Sequence, residues 1–179
     1  MPKEILRLGV LAQLRPPVTR WSTGELRALM VLPSEPATPP GTRLSAEAGI
    51  ETWYLGGRDL VLWSGDASHH RDNLTSGRPS VWVALRGTHP SHAEVVAVTA
   101  DPYEGEGLAS DPDLIVDAVP MPDAIARAVA AFADAHFFEM PFKKRQRQPA
   151  DPNAMTSRAP RILQHSDKWE TRKGRGPEG

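Results

Sequence analysis

Residues 50–63 read IETWYLGGRDLVLW, and they carry the clearest hairpin signal in the chain. Two runs rich in aromatic and aliphatic side chains flank Gly56-Gly57, and such runs are typical of β-strands. Paired glycines tolerate the positive φ angles that a two-residue hairpin turn requires. The stretch therefore predicts two antiparallel strands joined at Gly56-Gly57, in a fold built mainly on β-sheet.

Five further apolar runs predict strands on both sides of this stretch. Proline-rich or polar segments separate them, and residues 34–42 (SEPATPPGT) and 64–79 (SGDASHHRDNLTSGRP) are both predicted to be loops. A short loop joins the runs at 80–86 and 94–99, so we expect these two strands to be antiparallel neighbours. The five runs are Ile5–Leu14, Leu26–Leu32, Ser80–Arg86, Glu94–Thr99 and Leu114–Val119.

A single helix is predicted near the C-terminal end of the apolar sequence. Pro122 and Asp123 suit the first turn of a helix, where a missing N–H is harmless and a carboxylate favours the helix dipole. Apolar positions then recur at helical spacing and should pack on the sheet. The fold class is therefore α+β: an antiparallel, curled or barrel-like sheet of about five to seven strands with one C-terminal helix.

The charge of the chain is unevenly distributed. Residues 143–179 contain ten Lys and Arg against four Asp and Glu, a net charge of +6, whereas residues 1–142 carry −7. Apolar residues are also sparse after residue 142, and this composition is typical of disorder. We therefore expect one α+β domain over residues 1–142 and a disordered basic tail over residues 143–179.

The composition of the chain excludes several kinds of bond and binding site. It has no cysteine, which excludes disulfides, thiolate nucleophiles, iron–sulfur clusters and cysteine-type zinc sites. No run approaches the roughly 18 uncharged apolar residues of a membrane span. We expect no signal peptide in the opening residues. We expect a cytoplasmic protein without membrane insertion.

Two polar clusters are candidates for metal binding, and both have a simpler explanation. The acidic cluster around residues 101–113 lacks the calcium-loop spacing and suits an ordinary turn. The adjacent His69 and His70 would point in opposite directions on an extended chain, so we expect a solvated loop there. No nucleophile elbow, phosphate loop or zinc-binding helix motif is present. The sequence therefore predicts no catalytic residue, no metal and no cofactor.

Partner contacts are the remaining candidates for function. A loop tryptophan, the turn that follows the strand at 94–99, and the basic cluster KKRQRQ offer aromatic, acidic and cationic groups. The cluster could equally be a solvated tail, and phosphate binding by it would weaken steeply with salt. The candidate contacts are Trp21, Asp101, Tyr103, Glu104, Lys143, Lys144, Arg145 and Arg147.

Four segments in this order resemble a small bacterial family of unknown function. They are GVLAQLRPPVTRWSTGELRALMVLP (9–33), NLTSGRPSVWVALR (73–86), VTADPYEGEG (98–107) and VPMPDAIARAVAAFADAHFFEMPFKKRQR (119–147). The resemblance covers about residues 4–147. Genes of this family typically lie beside those of molybdenum-dependent formate dehydrogenases and other molybdopterin oxidoreductases. Some members are labelled molybdopterin-guanine dinucleotide biosynthesis proteins, and the family provides no catalytic residues to transfer.

The resemblance implies a non-catalytic accessory or maturation protein for a molybdopterin oxidoreductase, most readily formate dehydrogenase. It would act by binding an enzyme subunit or a maturation factor. The alternative is an enzyme or carrier in molybdopterin dinucleotide metabolism, although no glycine-rich phosphate loop supports it. A third hypothesis is a nucleic-acid-binding module acting through the basic tail, which the acidic body disfavours.

Overall fold

The structure is a computed structural model that describes residues 1–17, 19–21 and 24–137. It contains seven strands and three α-helices within these residues, and a short 3₁₀ turn at Ser64–Asp66. The predicted disordered tail, residues 143–179, lies outside the described residues. The elements are β1 Lys3–Arg15, β2 Glu25–Leu32, β3 Thr42–Glu47, β4 Ile50–Trp63, α1 Ala67–Thr75, β5 Ser80–Arg86, β6 Glu94–Thr99, α2 Pro102–Ala109, β7 Leu114–Pro120 and α3 Asp123–His136.

The strands form two antiparallel sheets rather than one curled sheet. The first sheet has the order β2-β1-β4-β3 and the second has the order β6-β5-β7. The expected pairing of the strands at 80–86 and 94–99 is confirmed. The α+β class and the strand number are also confirmed, but the barrel is not closed, because no strand pairing among the described residues joins the two sheets.

The predicted hairpin at Gly56-Gly57 is wrong. Residues 50–63 form one continuous strand, β4, which pairs with β1 along nearly its whole length. The register shifts where Val10 faces Gly56 and Leu11 faces Tyr54, leaving Leu55 as the extra residue of a β-bulge. Gly56 adopts a φ of 122° at this bulge. The glycine is therefore needed for a bulge within one strand, and it does not form a turn between two strands.

The actual hairpin lies one strand earlier, between β3 and β4. Glu47 pairs with Ile50, so the loop is only Ala48-Gly49. These two residues have φ angles of 51° and 81°, as a primed two-residue turn requires. β3 occupies the edge of the first sheet, and its residues are largely exposed.

Gly9 and Gly57 are cross-strand partners on which the proline-rich loop between β2 and β3 rests. A Cβ at Gly9 would lie 2.9 Å from Cδ of Pro36, and a Cβ at Gly57 would overlap the Glu35 carboxylate. Glu35 is held there by Arg7, whose Nε donates to Oε2 at 2.6 Å. Close approach of this loop therefore explains the glycines at positions 9 and 57.

The hydrophobic core lies between the two sheets and extends to α3. It joins inward-facing residues of β1, β4, β5 and β6 to one face of α3. The predicted helical stripe is confirmed, because Ile125, Val129 and Phe132 are buried. None of the helices in the described ranges is both long and apolar enough to cross a membrane.

Side chains connect the sheets at both sides of the core. On one side, the Asp117 carboxylate of β7 accepts from the backbone N–H of Ala28 at 2.8 Å and from Arg27 at 3.0 Å. On the other side, Arg58 of β4 donates to the carbonyl oxygen of Val96 in β6. These side-chain hydrogen bonds lie where a closed barrel would have backbone hydrogen bonds between neighbouring strands.

The expectation of a single helix is wrong, because the regions predicted as a polar loop and a turn contain α1 and α2. In α1 the buried residues are Ala67, His70 and Asn73, so two of the three inward side chains are polar. In α2 the buried residue is Gly105, where a Cβ would overlap the Trp82 ring of β5. Neither helix has an apolar stripe that periodicity could reveal.

We predict that Gly105→Ala destabilises the protein by about 1–3 kcal/mol, because the added methyl forces α2 away from Trp82. Gly107→Ala is the matched control, since it lies in the same helix and has no atom within 4 Å of the added Cβ. Alanine should there be neutral or stabilising by up to about 1 kcal/mol. Urea unfolding followed by circular dichroism measures both, and equal effects would contradict the packing argument.

Candidate functional site

Asp101 is the junction of three elements. It follows β6, and its carboxylate caps α2 by accepting the backbone N–H of Tyr103 at 2.8 Å. Its own backbone N–H donates to Oγ1 of Thr99 at 3.0 Å. Pro102 then occupies the first helical turn, where its missing N–H costs nothing. The predicted turn is thus a capped helix start, and Asp101 is only 7% exposed.

His69 of α1 completes this junction. Its Nδ1 lies 2.8 Å from Oδ2 of Asp101, so the two helices are linked through one carboxylate. The imidazole also packs on the ring of Tyr103, with 4.5 Å between the ring centroids. Tyr103 is 59% exposed, so it presents its outer surface to solvent above a fixed histidine.

Asp66 brings a third ionisable group to this place. One ligand atom each from Asp66, His69 and Asp101 lie within 4.8 Å of one another. Asp66 and His69 are partly buried, while Asp101 is buried. Asp66 occupies the N-cap position of α1, yet its side chain makes no capping hydrogen bond. We call Asp66, His69 and Asp101 the His69 cluster.

His70 lies beside this cluster in the interior. It is 1% exposed, and neither ring nitrogen makes a well-aligned hydrogen bond with another described residue, although the backbone of Ala100 is close enough to act on the ring. Burial lowers the pKa of His70, and the nearby carboxylates of Asp101 and Asp66 offset part of that effect. The Phe132 ring of α3 faces it edge-on. The predicted solvated histidine loop is therefore wrong, because one histidine is buried and the other is paired.

Asn73 fixes the orientation of α1 against the second sheet. Its Nδ2 donates to the carbonyl oxygens of Ser80 and Ala100, both at 2.8 Å, and its Oδ1 accepts the Ser80 N–H at 3.0 Å. Sequence analysis missed this residue, because a buried amide in a polar segment has no apolar signature. Asn73 hydrogen bonds to the carbonyl oxygen of Ala100, the residue before Asp101, and so it helps to hold the junction in place.

The exposed face of α2 and the loop that follows it are acidic. Glu104 and Glu106 project from the helix, and Asp111 and Asp113 follow it. None of these four carboxylates forms an ion pair with another described residue. We call these four residues together with Tyr103 the α2 face.

A cavity of about 410 Å³ adjoins the far end of α2. Ala109, Thr88 and the first residues of β2 and β7 line it. Trp21 is 83% exposed, and the Arg20 guanidinium lies 4.7 Å from its ring centroid. It precedes Gly24, which also lines the cavity, by three residues, so their Cα atoms lie within about 12 Å.

The structure brings together only some of the residues singled out in the sequence. Asp101, Tyr103 and Glu104 share the first turn of α2, with Asp101 buried and the other two exposed. His89 and His92 contact each other in the loop after β5, and they are not part of the His69 cluster. Lys143, Lys144, Arg145 and Arg147 lie outside the described residues.

Comparison with known proteins identifies the family. A family model described as "Protein of unknown function (DUF3305)" matches residues 7–146. The chain therefore belongs to this family, which confirms the resemblance to a family of unknown function. No curated protein matches the chain, and no solved structure matches it.

We predict that Asn73→Ala destabilises the protein by roughly 1–3 kcal/mol, because the buried Ala100 carbonyl and the partly buried backbone groups of Ser80 lose their partner. Asp72→Ala is the control, since this neighbouring side chain on α1 is exposed and should change stability by less than about 0.5 kcal/mol. Chemical denaturation compares the two free energies of unfolding. A loss for Asn73→Ala no larger than that of the control would show that the amide does not hold α1.

Proposed function

We propose that this member of the DUF3305 family is a cytoplasmic, non-catalytic accessory protein that binds a molybdopterin oxidoreductase, most readily a formate dehydrogenase subunit, or a factor that matures it. The α2 face would provide the specific contact. The observation that carries the proposal is the exposed Tyr103 of α2, a helix that together with the loop after it carries four exposed carboxylates without ion-pair partners in the described part of the chain.

The geometry of Tyr103 suits a contact residue. Tyrosine contributes a large amphipathic surface at low conformational cost, and it is enriched at binding hot spots. Its ring is already positioned by His69 and by the Asp101 cap, so binding would order little further. Preorganisation of this kind reduces the entropic cost of association.

The charge of the α2 face selects the class of partner surface. Four solvated carboxylates favour a basic surface and accelerate encounter with it at low salt. The cavity at the other end of α2 offers a recess for an apolar or aromatic side chain of the partner. Trp21, which precedes the cavity residue Gly24 by three positions, is a further exposed contact candidate.

The identity of the partner rests on the family resemblance. The resemblance implies that genes of this family typically lie beside those of molybdopterin oxidoreductases, and such proximity would fit proteins that assemble or mature together. The basic residues after 142 would add electrostatic capture of an acidic region on the same partner.

One observation favours the alternative of a carrier in molybdopterin dinucleotide metabolism. The cavity volume falls within the range of small-molecule sites, and Arg27 lines it. However, the Arg27 guanidinium is already engaged by Glu25 and Asp117. Titration of the purified protein with guanine nucleotides and the pterin cofactor tests this alternative, since saturable binding would support it. The nucleic-acid hypothesis depends on residues 143–147, which lie outside the described residues.

We expect affinity capture from the native cell to recover a molybdoenzyme subunit or maturation factor. With the purified pair, Tyr103→Ala should weaken binding about 10-fold or more. Glu104→Lys with Glu106→Lys should weaken it further at low salt and should flatten its salt dependence. Glu4→Lys with Glu47→Lys is the charge-matched control on exposed residues of the first sheet.

Two results would contradict the proposal at different levels. Capture that recovers neither a molybdoenzyme subunit nor a maturation factor would exclude the proposed partner. Equal affinities for the α2-face variants and the control variant would instead show that the partner binds elsewhere on the chain. Circular dichroism of each variant ensures that a loss of binding is not a loss of fold.

A further inference from the structure

The geometry points to a binding site for a divalent transition-metal ion, formed by Asp66, His69 and Asp101. This site is independent of the partner-binding proposal. Its three ligands come from three segments: the 3₁₀ turn before α1, α1 itself, and the junction between β6 and α2. One ligand atom from each lies within 4.8 Å of the others, so small side-chain movements would bring all three onto one ion.

The position of the Asp66 carboxylate is the first argument. An aspartate at an N-cap normally accepts a backbone N–H of the first helical turn. Asp66 makes no such bond, and a carboxylate oxygen instead lies near His69 and Asp101. Two carboxylates so close together repel each other, and a bound cation would remove that repulsion.

Rigid support of the other two ligands is the second argument. Asp101 is fixed by its bonds to Tyr103 and Thr99, and the imidazole of His69 packs on the Tyr103 ring. Metal sites typically hold their ligands through such outer contacts. Binding would replace the hydrogen bond between Nδ1 of His69 and Oδ2 of Asp101, now 2.8 Å long, with a bond from each of these atoms to the ion.

The ligand set selects the chemical class of the ion. One imidazole nitrogen with two carboxylate oxygens suits Zn²⁺, Co²⁺ or Mn²⁺, whereas Ca²⁺ and Mg²⁺ prefer oxygen ligands alone. Three protein ligands leave at least one coordination position for water or for another ligand. The partial exposure of Asp66 and His69 gives the ion a route from solvent.

Zinc titration by calorimetry, on the full chain without an affinity tag, tests the site. We expect one Zn²⁺ per chain, with Co²⁺ giving visible absorption of a site with nitrogen and oxygen ligands. His69→Gln and Asp66→Asn should each weaken binding by at least the roughly 10- to 100-fold that outer-shell changes cost in known sites. His92→Gln is the control, because it alters the exposed histidine pair away from the cluster.

Thermal unfolding with and without zinc separates a lost ligand from a lost fold. Zinc should raise the Tm of the wild-type chain and of His92→Gln, and it should leave the Tm of His69→Gln unchanged. The proposal is overturned if the wild-type chain binds no zinc, or if binding survives in His69→Gln and Asp66→Asn. Loss of binding in His92→Gln alone would likewise overturn it and assign the ion to the loop after β5.

Discussion

The hydrogen bonds of one buried carboxylate hold the candidate functional region together. Asp101 ends β6, caps α2 and pairs with His69 of α1, so three elements depend on its position. Thr99 and Asn73 fix it indirectly, one through the Asp101 N–H and the other through the Ala100 carbonyl. Because these bonds are directional, Tyr103 and the His69 cluster occupy defined places on an otherwise ordinary sheet edge.

Close backbone approach is the second constraint on the fold, and glycines provide it in two places. Gly105 lets α2 lie directly on Trp82, and Gly9 with Gly57 lets the proline-rich loop lie on the first sheet. Both contacts cover a sheet face that would otherwise be open. The tyrosine below the loop, Tyr54, is accordingly buried although it points away from the core between the sheets.

The sequence predicted those strands and the one helix whose apolar residues follow a recognisable pattern. The runs at 5–14, 26–32, 80–86, 94–99 and 114–119 became strands, and the stripe of α3 faces the core. It did not predict α1, whose inward face is made by His70 and Asn73, or α2, whose inward face is a glycine. The same reason hid the site, because contacts such as His69 with Asp101 depend on tertiary packing rather than on spacing. The hairpin predicted at Gly56-Gly57 was wrong because a β-bulge and a hairpin turn both require a residue that can adopt a positive φ.

The edge strand β3 bears on how this chain behaves in a crowded solution. A strand with an unpaired outer edge can template pairing with another molecule. β3 is only six residues long, carries Arg43 and Glu47, and ends at a tight turn. Short length and charge are the devices by which natural sheets discourage such growth. The short length and charge of β3 therefore disfavour pairing of the first sheet with another molecule through this edge.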